Sequence, residues 1–191
     1  MTRVSIIGTG NMGQVISALA GKGGYAVELF NTSDADKPVI GDIVVLAVPY
    51  PAVADIIAKR REQLAGKIVV DITNPMNVQT FDDLTVAADS SATAEIAAAL
   101  PTSRVLKAFN TTFAGTLAAG SVGGLPTTVL IAGDDADAKQ ELIGLVSAGG
   151  LRAIDAGGLK RARELEAVGL LQITMAAAEK VSWTGGFAIV P

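Results

Sequence analysis

Short runs of branched apolar residues alternate along this chain with longer, alanine-rich stretches whose apolar positions recur every three or four residues. The short runs are Arg3–Gly8, Ala26–Phe30, Ile43–Val48, Lys67–Ile72, Arg104–Asn110, Thr127–Ala132 and Leu151–Asp155. They are almost continuously apolar, as strands covered on both faces must be. The longer stretches predict helices over Asn11–Ala20, Pro51–Leu64, Ser91–Leu100, Asp134–Ser147 and Lys160–Val181. Asp134 is the expected N-cap of the fourth, with Asp135 and Asp137 suited to its positive end. The alternation predicts an α/β fold: a Rossmann-type, doubly wound, mostly parallel sheet with a small C-terminal helical element and tail. Residues 1–156 are expected to form the main domain and 157–191 the C-terminal helix and tail. The segment from Asn31 to Asp42 is too short for a helix with its turns and is expected to be a loop.

Composition narrows the partners. Half of the 191 residues are hydrophobic, the formal charge is −4, and Lys and Arg never cluster into a basic tract. A nucleic-acid or membrane-surface partner is not expected, and a small molecule is. There is no cysteine, which removes disulfides, thiolate nucleophiles and sulfur-based zinc sites and suits a reducing, cytoplasmic setting. The first strand begins at once, leaving no room for an export signal. Glu166, Gly169, Gln172 and Thr174 interrupt the longest apolar stretch well short of a membrane span, so no membrane segment and no metal site are expected.

The first strand runs directly into Gly8-Thr9-Gly10-Asn11-Met12-Gly13, which opens the first helix. In that position a G-x-G-x-x-G pattern is a dinucleotide fingerprint. Gly8 permits the tight turn, Gly10 lets backbone approach a pyrophosphate, and Gly13 allows close helix packing, while the helix N-terminus offers free N–H groups. NAD-selective proteins place Asp or Glu at the end of the second strand. Here Asn31-Thr32-Ser33 supplies neutral donors, and Lys37 is the nearest cation in sequence, so NADP is the expected cofactor. Glu28 lies inside the strand and is expected to face away from the crevice.

Ligands of open α/β sheets lie beyond the strand carboxyl ends. Three such ends carry polar or proline-broken segments: Ala47-Val48-Pro49-Tyr50, Asp71-Ile72-Thr73-Asn74-Pro75 and Lys107-Ala108-Phe109-Asn110-Thr111-Thr112. Asn74, Lys107 and Asn110 are the catalytic candidates, Lys107 either as a proton donor or as a lysine reaching solvent. Carbonyl reduction normally needs an acid beside the hydride. The chain has no histidine, and its tyrosines Tyr25 and Tyr50 are followed four residues on by Leu29 and Ala54, not lysine. Hydride exchange with a flavin-like ring, governed by positioning, fits these absences.

Taken together, Gly8–Gly13, Ala47-Val48-Pro49, Thr73-Asn74-Pro75 and Lys107-Ala108-Phe109-Asn110-Thr111 resemble the NADPH-dependent deazaflavin (coenzyme F-420) reductases and the cytosolic domain of STEAP-type metalloreductases. The resemblance runs in order from Met1 to about Glu166, where Ala162-Arg163-Glu164-Leu165-Glu166 is similar to the opening of the family's last helix. It implies a Rossmann domain with a small C-terminal part, hydride transfer between a nicotinamide and a flavin or deazaflavin as second substrate, and commonly a homodimer. It places Thr9, Asn11 and Met12 on the pyrophosphate, Thr32 and Ser33 at the 2′-phosphate, and Val48 and Pro49 by a ribose. Asn74, Ala108 and Asn110 fall near the nicotinamide. The family often has Ser-Arg where this chain has Thr32-Ser33.

Three functions remain open on the residues themselves. One is an NADP-dependent oxidoreductase acting on a flavin, deazaflavin or similar acceptor. Another is an imine or hydroxy-acid reductase using Lys107 or Asp71 as acid, and the third a non-catalytic NADP sensor. The apolar tail from Ser182 either packs on its own subunit for stability or walls the acceptor site through Phe187 beyond a Gly185-Gly186 hinge, in its own or a partner subunit.

Overall fold

The computed structural model describes residues 2–190. Its strands are β1 (Arg3–Ile7), β2 (Ala26–Phe30), β3 (Ile43–Leu46), β4 (Ile68–Asp71), β5 (Arg104–Lys107), β6 (Ser121–Val122), β7 (Leu125–Pro126), β8 (Thr128–Gly133) and β9 (Arg152–Gly157). Its helices are α1 (Asn11–Lys22), α2 (Val53–Leu64), α3 (Ala92–Ala99), α4 (Ala114–Ala119), α5 (Ala136–Ala148) and α6 (Ala162–Ala177). Seven strands make one sheet in the order β2-β1-β3-β4-β5-β8-β9, and β6-β7 is a separate small hairpin. β1 to β5 pair in parallel, β8 joins β5 antiparallel, and β9 returns parallel to β8. The chain leaves β1 toward β2 and comes back to place β3 on the other side of β1. That reversal opens a crevice at the carboxyl ends of β1 and β3.

Alternation along the central strands sorts the core into two layers. Val4, Ile6, Ile43, Val45, Ile68 and Val70 point to the face covered by α1 and α5, through Ile16, Leu19, Leu142, Leu145 and Val146. Ile7, Val44, Leu46, Val69 and Val105 point to the other, under α2 and α3 through Val53, Ile57, Leu64, Ile96 and Leu100. By the same alternation Asp71 and Lys107, paired across β4 and β5, fall on the second face with no exposure at all.

All seven expected sheet strands and five expected helices form, with differences at their ends. The Asn31–Asp42 crossover is a loop apart from one 3-10 turn, Thr32–Asp34. The cap of α5 is Asp135, which accepts from the Ala138 N–H at 2.8 Å, and not Asp134, whose carboxylate accepts from the Leu159 N–H at 2.8 Å instead. The last helix begins at Ala162 after a 3-10 turn and stops at Ala177. There Glu179 adopts φ 58°, and the Lys180 N–H bonds the Met175 carbonyl, a Schellman closure with an unusual residue in the left-handed position. α4 and the β6-β7 hairpin were not expected. A helix of six residues carries too little periodicity to read.

Gly133 lies where β8 meets β5. A Cβ there would come within 2.2 Å of Leu106 Cδ2 and 3.2 Å of the Val105 carbonyl, and Leu106 is itself fully buried. Gly133→Ala should therefore destabilise the protein by about 1–3 kcal/mol through overpacking. Urea unfolding should show a lower midpoint with an unchanged slope.

Candidate functional site

Two glycines of the turn after β1 are required by the protein itself. Gly8 has φ 121°, and a Cβ on it would sit 2.0 Å from the Ala47 carbonyl oxygen at the end of β3. A Cβ on Gly13 would sit 2.1 Å from the Gly8 carbonyl. Gly10 differs: a Cβ there meets nothing within 4 Å, so no protein contact explains its being glycine. Gly10 is also the N-cap of α1, with no side-chain cap and no acidic residue in the first turn. The first helical bond is donated by Gln14 to Gly10, which leaves the N–H groups of Asn11, Met12 and Gly13 without helical acceptors. Free donors, a positive helix end and open space over Gly10 fit a pyrophosphate.

On one side of this turn lies a hollow of about 410 Å³, bordered by Gly8, Thr9, Asn31, Thr32, Val48 and Pro49, with Lys59 and Arg60 of α2. Arg60 is 6% exposed, donates to the carbonyls of Lys37 and Asp34 at 2.7 and 2.5 Å and to Gln63 Oε1 at 3.2 Å, and rests over the Phe30 ring. Among the described residues it has no carboxylate partner, so its charge is uncompensated beside the hollow. Lys59 is paired with Asp55 at 2.7 Å. Lys37, the expected cation, does not border the hollow: it pairs with Glu28 at 2.9 Å and lies over the Phe30 ring, 4.9 Å from its centroid. Ser33 donates both its N–H and its hydroxyl to Asn31 Oδ1, and does not border the hollow. Arg60 had a signal in the sequence, because it shares the buried spacing of Val53, Ile57 and Leu64 on α2.

On the other side is a second hollow of about 450 Å³, bordered by Asn11 and Met12, by Asn74, Met76 and Phe81, by Phe109, Asn110, Thr112 and Phe113, and by Ile173 and Trp183. Among the described residues no titratable side chain lines it. Asn74 and Asn110 are bonded to each other: Asn110 Nδ2 donates to Asn74 Oδ1 at 2.9 Å and to the Leu165 carbonyl at 2.8 Å, and Asn74 Nδ2 donates to the Asn110 carbonyl at 3.1 Å. Two carbonyl partners on Nδ2 fix the Asn110 amide orientation and leave its buried Oδ1 without a partner. Gly169 makes the arrangement possible, since a Cβ on it would lie 2.3 Å from Asn74 Oδ1. Phe109 is held at φ 63° with no exposure, a strained backbone at the rim. Ala108 is buried in the core beside these residues, and Ala47 packs against the same core.

Lys107 neither reaches solvent nor enters the hollow. Its ammonium is fully buried, 2.9 Å from both Asp71 Oδ2 and Glu166 Oε1 and 2.5 Å from the Thr73 carbonyl. Thr93 donates its hydroxyl to Asp71, and the N–H groups of Ala92 and Thr93 donate to Glu166. Burial pushes the Glu166 carboxyl above its ordinary 4.5, an effect that Lys107 partly offsets. Tyr50 is also committed, its hydroxyl donating to Glu95; burial first and that carboxylate next raise its pKa. The tail lies along α4 and α6, but Trp183, and not Phe187, borders the second hollow. Phe187 is bonded through its N–H to Gln172 and is half exposed.

A glycine turn at the strand-order reversal, with an uncapped helix opening from it, defines the class: a Rossmann-type dinucleotide-binding protein. Its relatives agree. Residues 17–75 match the sequence model of the family described as NADP oxidoreductase coenzyme F420-dependent. The chain is 30% identical to the F420-dependent NADP reductase of Methanocaldococcus jannaschii over 166 residues, 85% of this chain and 74% of that one. Against the metalloreductase STEAP3 of Rattus norvegicus it is 38% identical over 109 residues, 57% of this chain but 21% of that protein. A crystal structure of a protein from Arthrobacter sp. FB24 shares the fold over the full length of both chains, with a TM-score of 0.88 at 23% identity. The chain belongs to the coenzyme F420-dependent NADP oxidoreductase family. Among the described residues no helix is long and apolar enough to cross a membrane.

Replacing Gly10 by Val should leave the melting temperature close to the parent's, because the side chain enters open space. It should abolish NADPH binding in calorimetry, because that space is the pyrophosphate's. Normal binding would refute the assignment.

Glu166 generates a pH signature. Its carboxyl keeps a proton in the folded state to higher pH than in the unfolded chain, so its contribution to stability is full below pH 4.5 and is lost as pH rises through the raised value. Glu166→Gln removes this loss. The stability of the variant relative to the parent should rise with pH from 4.5 upward in urea titrations, and a pH-independent difference would show that Glu166 titrates as a free carboxyl.

Proposed function

We propose that the protein transfers hydride between NADP(H), held across the turn after β1, and the ring of a deazaflavin or flavin placed in the second hollow. The observation that carries this reading is the character of that hollow: it begins at Asn11 and Met12, where the cofactor's pyrophosphate is held, and offers amides, a threonine and aromatic or thioether walls but no acid or base. Imine or hydroxy-acid reduction needs a proton donor at the reacting atom. Lys107 and Asp71 are sealed in their own cluster and Tyr50 is engaged by Glu95, so none supplies it.

When bound, reduced nicotinamide supplies a hydride to the acceptor ring, and one solvent proton completes the two-electron reduction. Everything else falls to the chain. The N–H groups of Asn11, Met12 and Gly13 bind the pyrophosphate, with Gly8, Thr9 and Gly10 forming the turn. Asn31 and Thr32, with Val48, Pro49 and the Arg60 charge, hold the adenosine and its 2′-phosphate. Asn74 and Asn110, bonded to each other, form a rigid polar edge of the second hollow against which the nicotinamide lies, and so orient one face of the ring toward the remaining space. Ile173 of α6 and Trp183 of the tail close the acceptor side. Half-exposed Leu171 on α6 supports homodimer packing.

NADPH should bind at least about tenfold more tightly than NADH, a difference of only ~1.4 kcal/mol. Thr32→Asp should reverse the order by setting a carboxylate where the 2′-phosphate rests. Calorimetry decides both. NADPH oxidation followed against 5-deazariboflavin, FMN, FAD, a ferric chelate and a cyclic imine tests the reaction. Turnover with the ring acceptors and none with the imine is expected, and the opposite pattern would overturn the proposal.

A further inference from the structure

The last dozen residues do more than follow α6. After the left-handed turn at Glu179, the chain doubles back and is latched at three points: Thr116 donates its hydroxyl to the Gly185 carbonyl at 2.5 Å, Arg152 donates to the Ile189 carbonyl at 3.2 Å, and Phe187 donates its N–H to Gln172 at 3.4 Å. α4 is shaped to receive it. A Cβ on Gly115 would lie 2.9 Å from Thr184 Cγ2 and 3.2 Å from the Trp183 carbonyl, so the helix has a glycine where the strap crosses. The strap therefore has a fixed path, and that path carries Trp183 to the edge of the second hollow.

Trp183 is held there in an unfinished state. Its ring centroid is 4.9 Å from that of Phe113, tilted at 57°, so one side of the indole has an aromatic partner. Yet the residue is 55% exposed while bordering the hollow. An indole left half bare at a cavity mouth forgoes most of the burial its area would yield, and a flat ring entering the cavity restores it. Met76 and Phe81, from the loop after β4, and Phe113 complete an uncharged wall around the same space.

We propose that Trp183 is the ring-stacking residue of the acceptor site, and that the C-terminal strap holds it there so that flat heteroaromatic acceptors are selected over compact, non-planar ones. This rests on the hydride-transfer reading above. It assigns the acceptor contact to a residue that the cofactor does not use.

Because Trp183 is the only tryptophan, its emission reports this one place. Protein saturated with NADP⁺ and titrated with 5-deazariboflavin should show saturable shortening of the tryptophan fluorescence lifetime, with a midpoint that matches the acceptor KM. Trp183→Ala should raise that KM about tenfold, the scale of a lost stacking contact. Its calorimetric Kd for NADPH should stay at the parent value, which also shows that the variant is folded. Trp183→Phe should restore most of the acceptor affinity. A lifetime unchanged at saturating acceptor, or parental KM in Trp183→Ala, would overturn the assignment while leaving hydride transfer standing. Lifetime shortening with no NADPH oxidation by any acceptor would do the reverse, supporting the ring site and sinking the proposed reaction.

Discussion

The half of this molecule that holds the second hollow depends on one buried ammonium. Lys107 sits between Asp71 and Glu166 with all three side chains cut off from solvent. Such a group gains little or nothing over a well-packed apolar core, because desolvation consumes most of the attraction. What it does is tie the two helices α3 and α6 to the paired ends of β4 and β5. Asp71 ends β4, Lys107 ends β5, Glu166 lies in the first turns of α6, and Ala92 and Thr93 open α3. The Thr73 carbonyl, bonded to the same ammonium, is one residue from Asn74. Position of the Asn74–Asn110 pair and seating of α6 against it at Gly169 are set by the same few polar contacts. Lys107 and Glu166 are thus positioning residues, acting through what they hold.

Local demands were readable in the sequence, and demands created by tertiary contact were not. The turn Gly8–Gly13 is legible because its conformational needs lie within six residues, and the strands because burial on both faces leaves a continuous apolar run. Asn74 and Asn110 could be named from their place at strand ends, although their mutual bonding could not. The cation beside the first hollow was mistaken for Lys37, the nearest in sequence. Arg60 arrives there from the next helix, and only its position among Val53, Ile57 and Leu64 hinted that a charge was being turned inward. Lys107 was weighed as acid or as surface lysine, since its second carboxylate, Glu166, comes from 59 residues away. The wall of the acceptor hollow was sought at Phe187, the residue after the glycine pair. The fold delivers Trp183 instead, because the strap's path is set by α4 and Gly115.

The two hollows divide the electrostatic work. The first has at its border a guanidinium without a carboxylate partner among the described residues, beside the Lys59–Asp55 pair, and is suited to the negative charge of a phosphorylated dinucleotide. The second is neutral and aromatic, suited to a ring whose charge changes during the reaction and must not be trapped in either state.

The junction of β5 and β8 has a mechanical meaning. It is held by two register pairs, Leu106 with Gly133 and Lys107 with Ala132, whereas β4 and β5 share four. The sheet therefore has a seam, the place where a local opening breaks the fewest ladder bonds. Beyond the seam lie β8, β9 and α5, and the C-terminal strap is fastened on that far side through Arg152 of β9 and on the near side through Thr116 of α4. The strap works as a suture across the seam. Loosening of the sheet at this line would also slacken the segment bearing the indole, so the width of the second hollow's mouth is coupled to the weakest junction of the sheet.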